Sequence, residues 1–475
     1  MTAHYSPPYE SDGKGLIQLT TSKARHNRFS KSLPKSSSLN ESLNAPGATW
    51  RDKLKGLGPG LVTGASDDDP SGIATYAQTG AQFGFSMLWV ALLTYPLMAG
   101  VQEICDRTAL ATGKGLGELI VLRFSRRWRV LIGVLIGLLI VANVLNIAAD
   151  LVAIGAGMNL LHAGPTLLWS LLAGAILISL LVTGSFEFTS RILKFLCVAL
   201  LAYVVVLFFV KIPWLSVLSY TIIPHLQLSK AFIATLIAVL GTTISPYLFF
   251  WQGLHRIEEM RAEPAGGDRP LILRRRSPIE AKEKQSMSRF DVFFGMGFSN
   301  IVMFAIIVAT AATLGSHGHH VNIGSPAQAA QALKPVAGRF ASYIFAVGFI
   351  GSGMLAIPVL AGSGSAGLAG LVGHETGFSQ SPRRAPFFYV LCVVGMAGGM
   401  VLTLLSVNPI KLLIFVAVIN GVAAAPFLII TMMVSSSRRI MGDYTNGRLA
   451  STLGWTSVLI MSFAALALLV TSIHF

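Results

Sequence analysis

The stretch Gly58-Pro59-Gly60-Leu61-Val62-Thr63-Gly64-Ala65-Ser66-Asp67-Asp68-Asp69-Pro70-Ser71-Gly72-Ile73-Ala74-Thr75-Tyr76 sets three carboxylates and a helix-breaking Pro-Ser-Gly inside an otherwise apolar run. At a rise of ~1.5 Å per residue, Asp69 stands ~20 Å into a helix starting near Lys55, deep inside a bilayer core of ~30 Å. A central Asp costs ~2.5 to 3.5 kcal/mol even on the lenient insertion scale, so three together need a cavity, a proton or a cation. Pro70 removes an amide donor and disfavours helix at Asp69, and Gly72 tolerates unusual backbone angles. Carbonyl oxygens are therefore expected to be freed beside the carboxylates. Oxygen ligands would then gather at one depth.

The rest of the chain fits a polytopic membrane protein. Of its 475 residues, 53% are hydrophobic and only 12% charged, with a mean hydropathy of +0.66. Eleven apolar runs long enough to span are expected near 56–79, 86–111, 130–160, 166–184, 192–211, 229–253, 288–314, 340–372, 385–405, 409–434 and 450–472. Residues 1–55 are rich in Ser, Lys, Arg, Asn and Pro and read as a disordered basic cytosolic tail. Cys105, Cys197 and Cys392 fall in apolar stretches without metal or disulfide spacing, and read as packing residues.

Charge distribution predicts the topology. With the tail inside, Lys211, Lys230, Lys334, Arg339 and Lys411 are the five of 36 basic residues on the outer side. The positive-inside rule then places the N-terminus in the cytoplasm and the C-terminus outside a cell membrane. The net charge of +15 is read as attraction to an anionic inner leaflet, so the bilayer and not nucleic acid is the expected partner.

The sixth span repeats the pattern of the first. Ala238-Val239-Leu240-Gly241-Thr242-Thr243-Ile244-Ser245-Pro246-Tyr247-Leu248 is polar and interrupted by proline at its centre. Taken alone, it could be a kink whose Thr hydroxyls bond back to helix carbonyls. An offset of five spans reverses direction across the membrane, which predicts inverted five-helix repeats whose broken helices meet at a midplane site. The expected division is 56–211 and 229–434 for the repeats, a charged cytosolic linker at 254–287, and an eleventh helix at 450–472.

With Gly58-Pro59-Gly60, Asp69-Pro70 and Pro246 in place, residues 50–472 resemble the NRAMP (natural resistance-associated macrophage protein) family of divalent metal transporters. The resemblance implies an all-α, leucine-transporter-like fold of 5+5 helices plus one. NRAMP proteins usually carry Asp-Pro-Gly-Asn in the first helix and Met-Pro-His in the sixth. Here Gly72 takes the place of the metal-binding Asn, Ser245 that of the Met, and Tyr247 that of the His. Thioether ligands favour softer metals, whereas hydroxyl, carbonyl and carboxylate oxygens suit hard cations, and the smaller side chains are expected to leave room for a partly hydrated ion. The pattern is similar to the NRAMP-related magnesium transporters, a branch implied to carry Mg²⁺ and Mn²⁺ without proton coupling.

The expected metal ligands are Asp69 first and Asp68 second, with Gly72, Thr242, Ser245 and Asn420; Asp67 is expected to face a vestibule. Asp150, Tyr247, Pro70 and Pro246 are assigned to gating or support. His317, His319 and His320 read as a solvated loop, with weak metal capture as the alternative. The expected activity is secondary transport of a divalent metal, Mg²⁺ or Mn²⁺ as cargo, with no resident cofactor and no enzyme chemistry. The alternatives are a proton-coupled Mn²⁺ or Fe²⁺ importer, an amino-acid or organic-cation carrier of the same fold, and an intramembrane aspartyl protease. Adjacent acids on one helix speak against the last.

Overall fold

The computed structural model describes residues 57–184, 186–227, 229–263, 269–313, 340–405 and 409–473. The basic tail and the loop of His317, His319 and His320 lie outside the described residues. Within them every regular element is helical: α1 (Pro59–Asp67), α2 (Pro70–Phe83), α3 (Trp89–Thr112), α4 (Leu116–Arg123), α5 (Arg126–Leu160), α6 (Thr166–Thr183), α7 (Phe186–Val206) and α8 (Trp214–Ile222) in the first half. The second half holds α9 (Lys230–Thr243), α10 (Pro246–Ala262), α11 (Pro278–Thr313), α12 (Phe340–Leu371), α13 (Pro386–Thr403), α14 (Pro409–Ser435), α15 (Arg438–Met441) and α16 (Arg448–Ile473).

All eleven expected spans are helical. Nine of them are long and apolar enough to cross a membrane on their own, counting α9–α10 as one span of 33 residues. The two exceptions carry the polar residues: the first is split into α1 and α2, and the second, α3, holds Glu103, Asp106 and Arg107 in its buried end. Gly84, at φ +58, ends α2, and the chain turns by 110° through a 3-10 turn into α3. Left-handed backbone of that kind is where glycine is favoured.

The expected linker at 254–287 is a difference between expectation and structure. Residues 254–262 continue α10 and 278–287 open α11, and Arg256 and Glu258 are buried. Their charges read as solvated in the sequence because the partners that bury them, Asp106 and Asp291 for Arg256 and the Ser379 amide for Glu258, lie far along the chain. Cys105, Cys197 and Cys392 are buried and free, as packing residues should be.

Small residues let the broken span enter the bundle. A Cβ added at Gly64 would stand 2.0 Å from the Gly295 carbonyl oxygen, and one at Gly295 would stand 2.0 Å from the Gly60 oxygen. Helices α1 and α11 therefore touch backbone to backbone, a small-residue contact of the kind that replaces the hydrophobic drive in membranes. Gly241 meets Ala417 and Gly421 in the same way, drawing α14 onto α9. Gly64→Val is expected to force α1 off α11, an overpacking cost of about 1–3 kcal/mol or more. The check is the yield of monodisperse protein in detergent; unchanged yield and thermal stability would contradict the contact.

Candidate functional site

Both broken spans are interrupted in the same way. Asp68 (φ −87°, ψ 50°) ends α1, and Asp69 (φ −65°, ψ 167°) is extended and caps α2. Ile244 (φ −121°, ψ 58°) ends α9, and Ser245 (φ −76°, ψ 130°) is extended and precedes α10. In each case a proline follows, and its ring pushes the preceding residue out of helical space. Each proline also withholds an amide from the carbonyl four residues earlier. Those carbonyls belong to Ser66 and Thr242. The Tyr247 hydroxyl lies 3.4 Å from the Ser66 oxygen, and the Ser245 hydroxyl shares its one proton between the Thr242 and Gly241 oxygens, each at 3.0 Å. With one proton donated to it at most, each oxygen retains a lone pair.

The three acids of the break are buried and differ sharply in what holds them. Asp69 is saturated. Its Oδ1 accepts from the Ser71 hydroxyl at 2.5 Å and from the Gly72 amide at 2.8 Å; its Oδ2 has the Asn146 amide and the Tyr247 hydroxyl each at 3.2 Å. Four donors meet about four lone-pair sites on a carboxylate. Asp68 is the opposite case: neither oxygen has a donor at hydrogen-bond distance among the described residues, and the neighbouring Ser299 hydroxyl is directed to Asp67. Asp67 Oδ2 accepts from Ser299 of α11 at 3.2 Å, while its Oδ1 has no donor among the described residues.

No described Lys or Arg forms an ion pair with these acids. Buried carboxylates of this kind need a positive partner or a proton.

Several expectations change at this point. Gly72 lies inside the first turn of α2 and gives its amide to Asp69; its backbone freedom is not used, and a Cβ there would meet the Asp67 oxygen and the Tyr76 ring at 3.3 Å. The room expected from its small size is filled. Asp67 is wholly buried and bonded to Ser299, so it does not face a vestibule. Thr242 and Ser245 donate their hydroxyls back to helix carbonyls, at 3.0 Å to Val239 for Thr242 and 3.0 Å to Gly241 for Ser245. Their oxygens can still accept from or ligate a third group.

Asp150 and Asn420 are buried, and their side-chain oxygens, with the Asn420 amide nitrogen, have no partner among the described residues. Asn420 sits beside Gly421, which packs on Gly241 next to the second break. Pro70 and Pro246 open α2 and α10 as expected.

The sequence reading missed Asn146, Ser299 and Ser71, because a lone amide or hydroxyl on an apolar helix has no local signature. It also missed an ion network at one end of the bundle. Asp291 of α11 accepts from the amides of Gly58, Gly60 and Leu61 at 2.9, 2.8 and 3.1 Å, capping α1 in place of a side chain of its own segment. Arg256 of α10 binds Asp291 at 3.0 Å and Asp106 of α3 at 2.6 Å. Gln252 and Ser288 also donate to Asp106. An ionisable residue within a span is itself a signal, and Asp106 and Asp291 carried it.

No group of three or more His, Cys, Asp or Glu is placed to hold a metal among the described residues. The polar atoms that the hydrogen bonds place at the breaks are carboxylate, carbonyl and hydroxyl oxygens. Asp67, Asp68, Asp69, Ser71, Thr242, Ser245 and Tyr247 are all at most 2% exposed, so the region is closed from both ends.

The family model described as natural resistance-associated macrophage protein-like matches residues 60–471. A divalent metal cation transporter MntH of Verminephrobacter eiseniae is 27% identical over 397 residues, covering 82% of this chain and 83% of its own. One of Klebsiella pneumoniae is 26% identical over 423 residues, covering 87% and 93%. The crystal structure of the Eremococcus coleocola manganese transporter in complex with an aromatic bis-isothiourea substituted compound superposes with a TM-score of 0.71 at 17% identity, covering 89% of this chain and 87% of that one. MHP1, a nucleobase-cation-symport-1 family transporter, superposes at 0.54 with 15% identity, covering 88% and 93%. The fold is the all-α, leucine-transporter-like one.

Proposed function

The chain belongs to the natural resistance-associated macrophage protein-like family, and from that premise we propose that it is a secondary transporter of divalent metal ions whose preferred cargo is Mg²⁺, with Mn²⁺ also carried. The observation that carries the reading is the set of carboxylate, carbonyl and hydroxyl oxygens at two breaks that meet through Tyr247. Asp68 supplies the open carboxylate, with Asp67 Oδ1 beside it. The freed carbonyls of Ser66 and Thr242, the Ser245 hydroxyl and the Asn420 amide oxygen are the neutral donors. Asp69 acts mainly by fixing the start of α2. Oxygen donors without a thioether suit a hard ion that keeps some of its water.

In this proposal the units 56–211 and 229–434 are inverted repeats in a cell membrane, with the N-terminus cytoplasmic and the C-terminus outside. Helices α1–α2 and α9–α10 rock against the remainder to open the site alternately to each side. Each positive charge entering an inside-negative cell gains ~2.3 kcal/mol per 100 mV, enough to drive uptake without protons. Tyr247 in place of a His supports a route that does not depend on an imidazole.

A second reading is proton-coupled Mn²⁺ import. It is favoured by the names of the relatives and by Asp150 and Asp68, buried carboxylates without partners that could carry protons. Flux into proteoliposomes holding a pH dye separates the two, with Mg²⁺, Mn²⁺, Ca²⁺ and Cd²⁺ in competition. Uncoupled Mg²⁺ transport predicts Mg²⁺ entry without acidification; internal acidification tracking Mn²⁺ entry, with Mg²⁺ excluded, would establish the second. Ser245→Met is expected to raise the Cd²⁺ to Mg²⁺ uptake ratio about tenfold, or ~1.4 kcal/mol of differential binding. An unchanged ratio would remove the argument from ligand softness.

A further inference from the structure

At the end of the bundle where Asp291 caps α1, two linkers each carry a run of arginines. Arg126, Arg127 and Arg129 open α5, and Arg438 and Arg439 open α15 between the long helices α14 and α16. Arg123, which ends α4, joins the two groups: its Nε donates to the Met433 carbonyl at 3.4 Å, close to the end of α14. Arg126, Arg127, Arg438 and Arg439 are exposed. No carboxylate lies within 4 Å of any of these six among the described residues, although the same end pairs Arg107, Arg256, Arg276, Lys284 and Arg289 with acids. Glu118 of α4 instead has its Oε1 beside the Gly115 amide at 3.4 Å.

The arginines also stand at the wrong end of α5 for its dipole, since cations at a helix N-terminus are unfavourable. The helix contributes nothing to keeping them there. What they have beside them is an apolar surface. Trp128, among them, is 57% exposed, and Val130, Val134, Leu138 and Val141 continue along α5 at steps of four or three residues, each more than half exposed. That row faces lipid, and Trp at its start marks the height of the interface. A free anion has no reason to select a cluster seated on a lipid-facing row; a phosphate carried on an acyl glycerol satisfies both halves of the surface at once.

We propose that Arg126, Arg127, Trp128 and Arg129 of α5, with Arg438 and Arg439, form a binding site for the headgroup of an anionic phospholipid. The guanidinium groups bind the phosphate, Trp128 lies at the glycerol level, and the acyl chains run along the Val130–Val141 row. The bound lipid ties the α4–α5 corner to the α14–α16 linker. This inference is independent of which metal is carried.

The test uses the full chain in nanodiscs and reads tryptophan quenching by brominated phosphatidylglycerol against brominated phosphatidylcholine, with Trp128→Phe isolating the Trp128 signal. The expected result is at least about a fivefold lower mole fraction of the anionic lipid for half-maximal quenching of Trp128. The quadruple change Arg126→Gln, Arg127→Gln, Arg438→Gln and Arg439→Gln removes that preference, whereas the four corresponding Lys substitutions keep it. Equal quenching by the two lipids overturns the proposal, as does a preference that survives the Gln changes. So does displacement of the lipid by millimolar inorganic phosphate at constant ionic strength, which assigns the cluster to free anions.

Discussion

Asp68→Asn is expected to abolish metal uptake while leaving the folded protein as stable as the wild type or more so, whereas Asp69→Ala is expected to lose both uptake and stability. The two acids are neighbours in sequence and equally buried, so burial alone predicts no difference. The hydrogen bonds predict one. Removing the Asp69 carboxylate deprives α2 of its cap, worth about 1 kcal/mol, and strands the Asn146 amide, whose Nδ2 donates to Asp69. A buried donor left unpaired costs about 1–3 kcal/mol, so a total loss of about 2–4 kcal/mol is expected for Asp69→Ala. Asp68 makes no such bond to a described residue, so its replacement by a neutral amide relieves a burial cost and, in the proposed function, removes a metal ligand.

Thermal unfolding in detergent and metal flux in proteoliposomes, on both variants, decide the matter. An Asp68→Asn protein that still transports near the wild-type rate would show that Asp68 is not a ligand. One that melts as early as Asp69→Ala would show that Asp68 has structural bonds after all.

The second large effect is expected at Asp291. Asp291→Ala removes three amide bonds from the start of α1 and one of the carboxylates around the buried Arg256. Breaking a buried ion pair from one side costs about 3–5 kcal/mol, and the cost falls on the half-helix that leads to the site. Uptake should be lost. Hydrogen exchange at Gly58, Gly60 and Leu61 should rise far more than at the amides of α5, because their bonding partner is gone while α5 keeps its own. Asp291→Asn, which keeps one acceptor oxygen and replaces the other by an NH₂ donor, should be intermediate. Unchanged protection of those three amides in Asp291→Ala would mean that α1 is held elsewhere.

The same network explains why the region from 254 to 287 was misread. Arg256, Glu258 and Glu259 look like a hydrophilic linker when read along the chain, but α10 runs through them, with Arg256 and Glu258 buried against Asp106, Asp291 and the Ser379 amide. Charged residues are legible as buried only when their partners are known, and these partners lie up to 150 positions away.

What the sequence by itself determined is everything that depends on neighbours along the chain. Apolar runs of spanning length, the proline after Asp69 and the proline after Ser245 impose two interrupted helices, because a missing amide and a ring clash act within four residues of the proline. The acids in the first break announced a site for the same local reason: no single helix can shelter them from lipid. Only the tertiary structure decided how those acids divide their work. Asp69 is satisfied by Asn146 of α5 and Tyr247 of α10 as well as by its own turn, Asp67 by Ser299 of α11, and Asp68 by no described residue. Three identical side chains in a row have the same chemistry on paper. Hydrogen bonds from other helices, which depend on packing and not on sequence distance, separate the carboxylate that holds the fold from the one that accepts no hydrogen bond from a described residue.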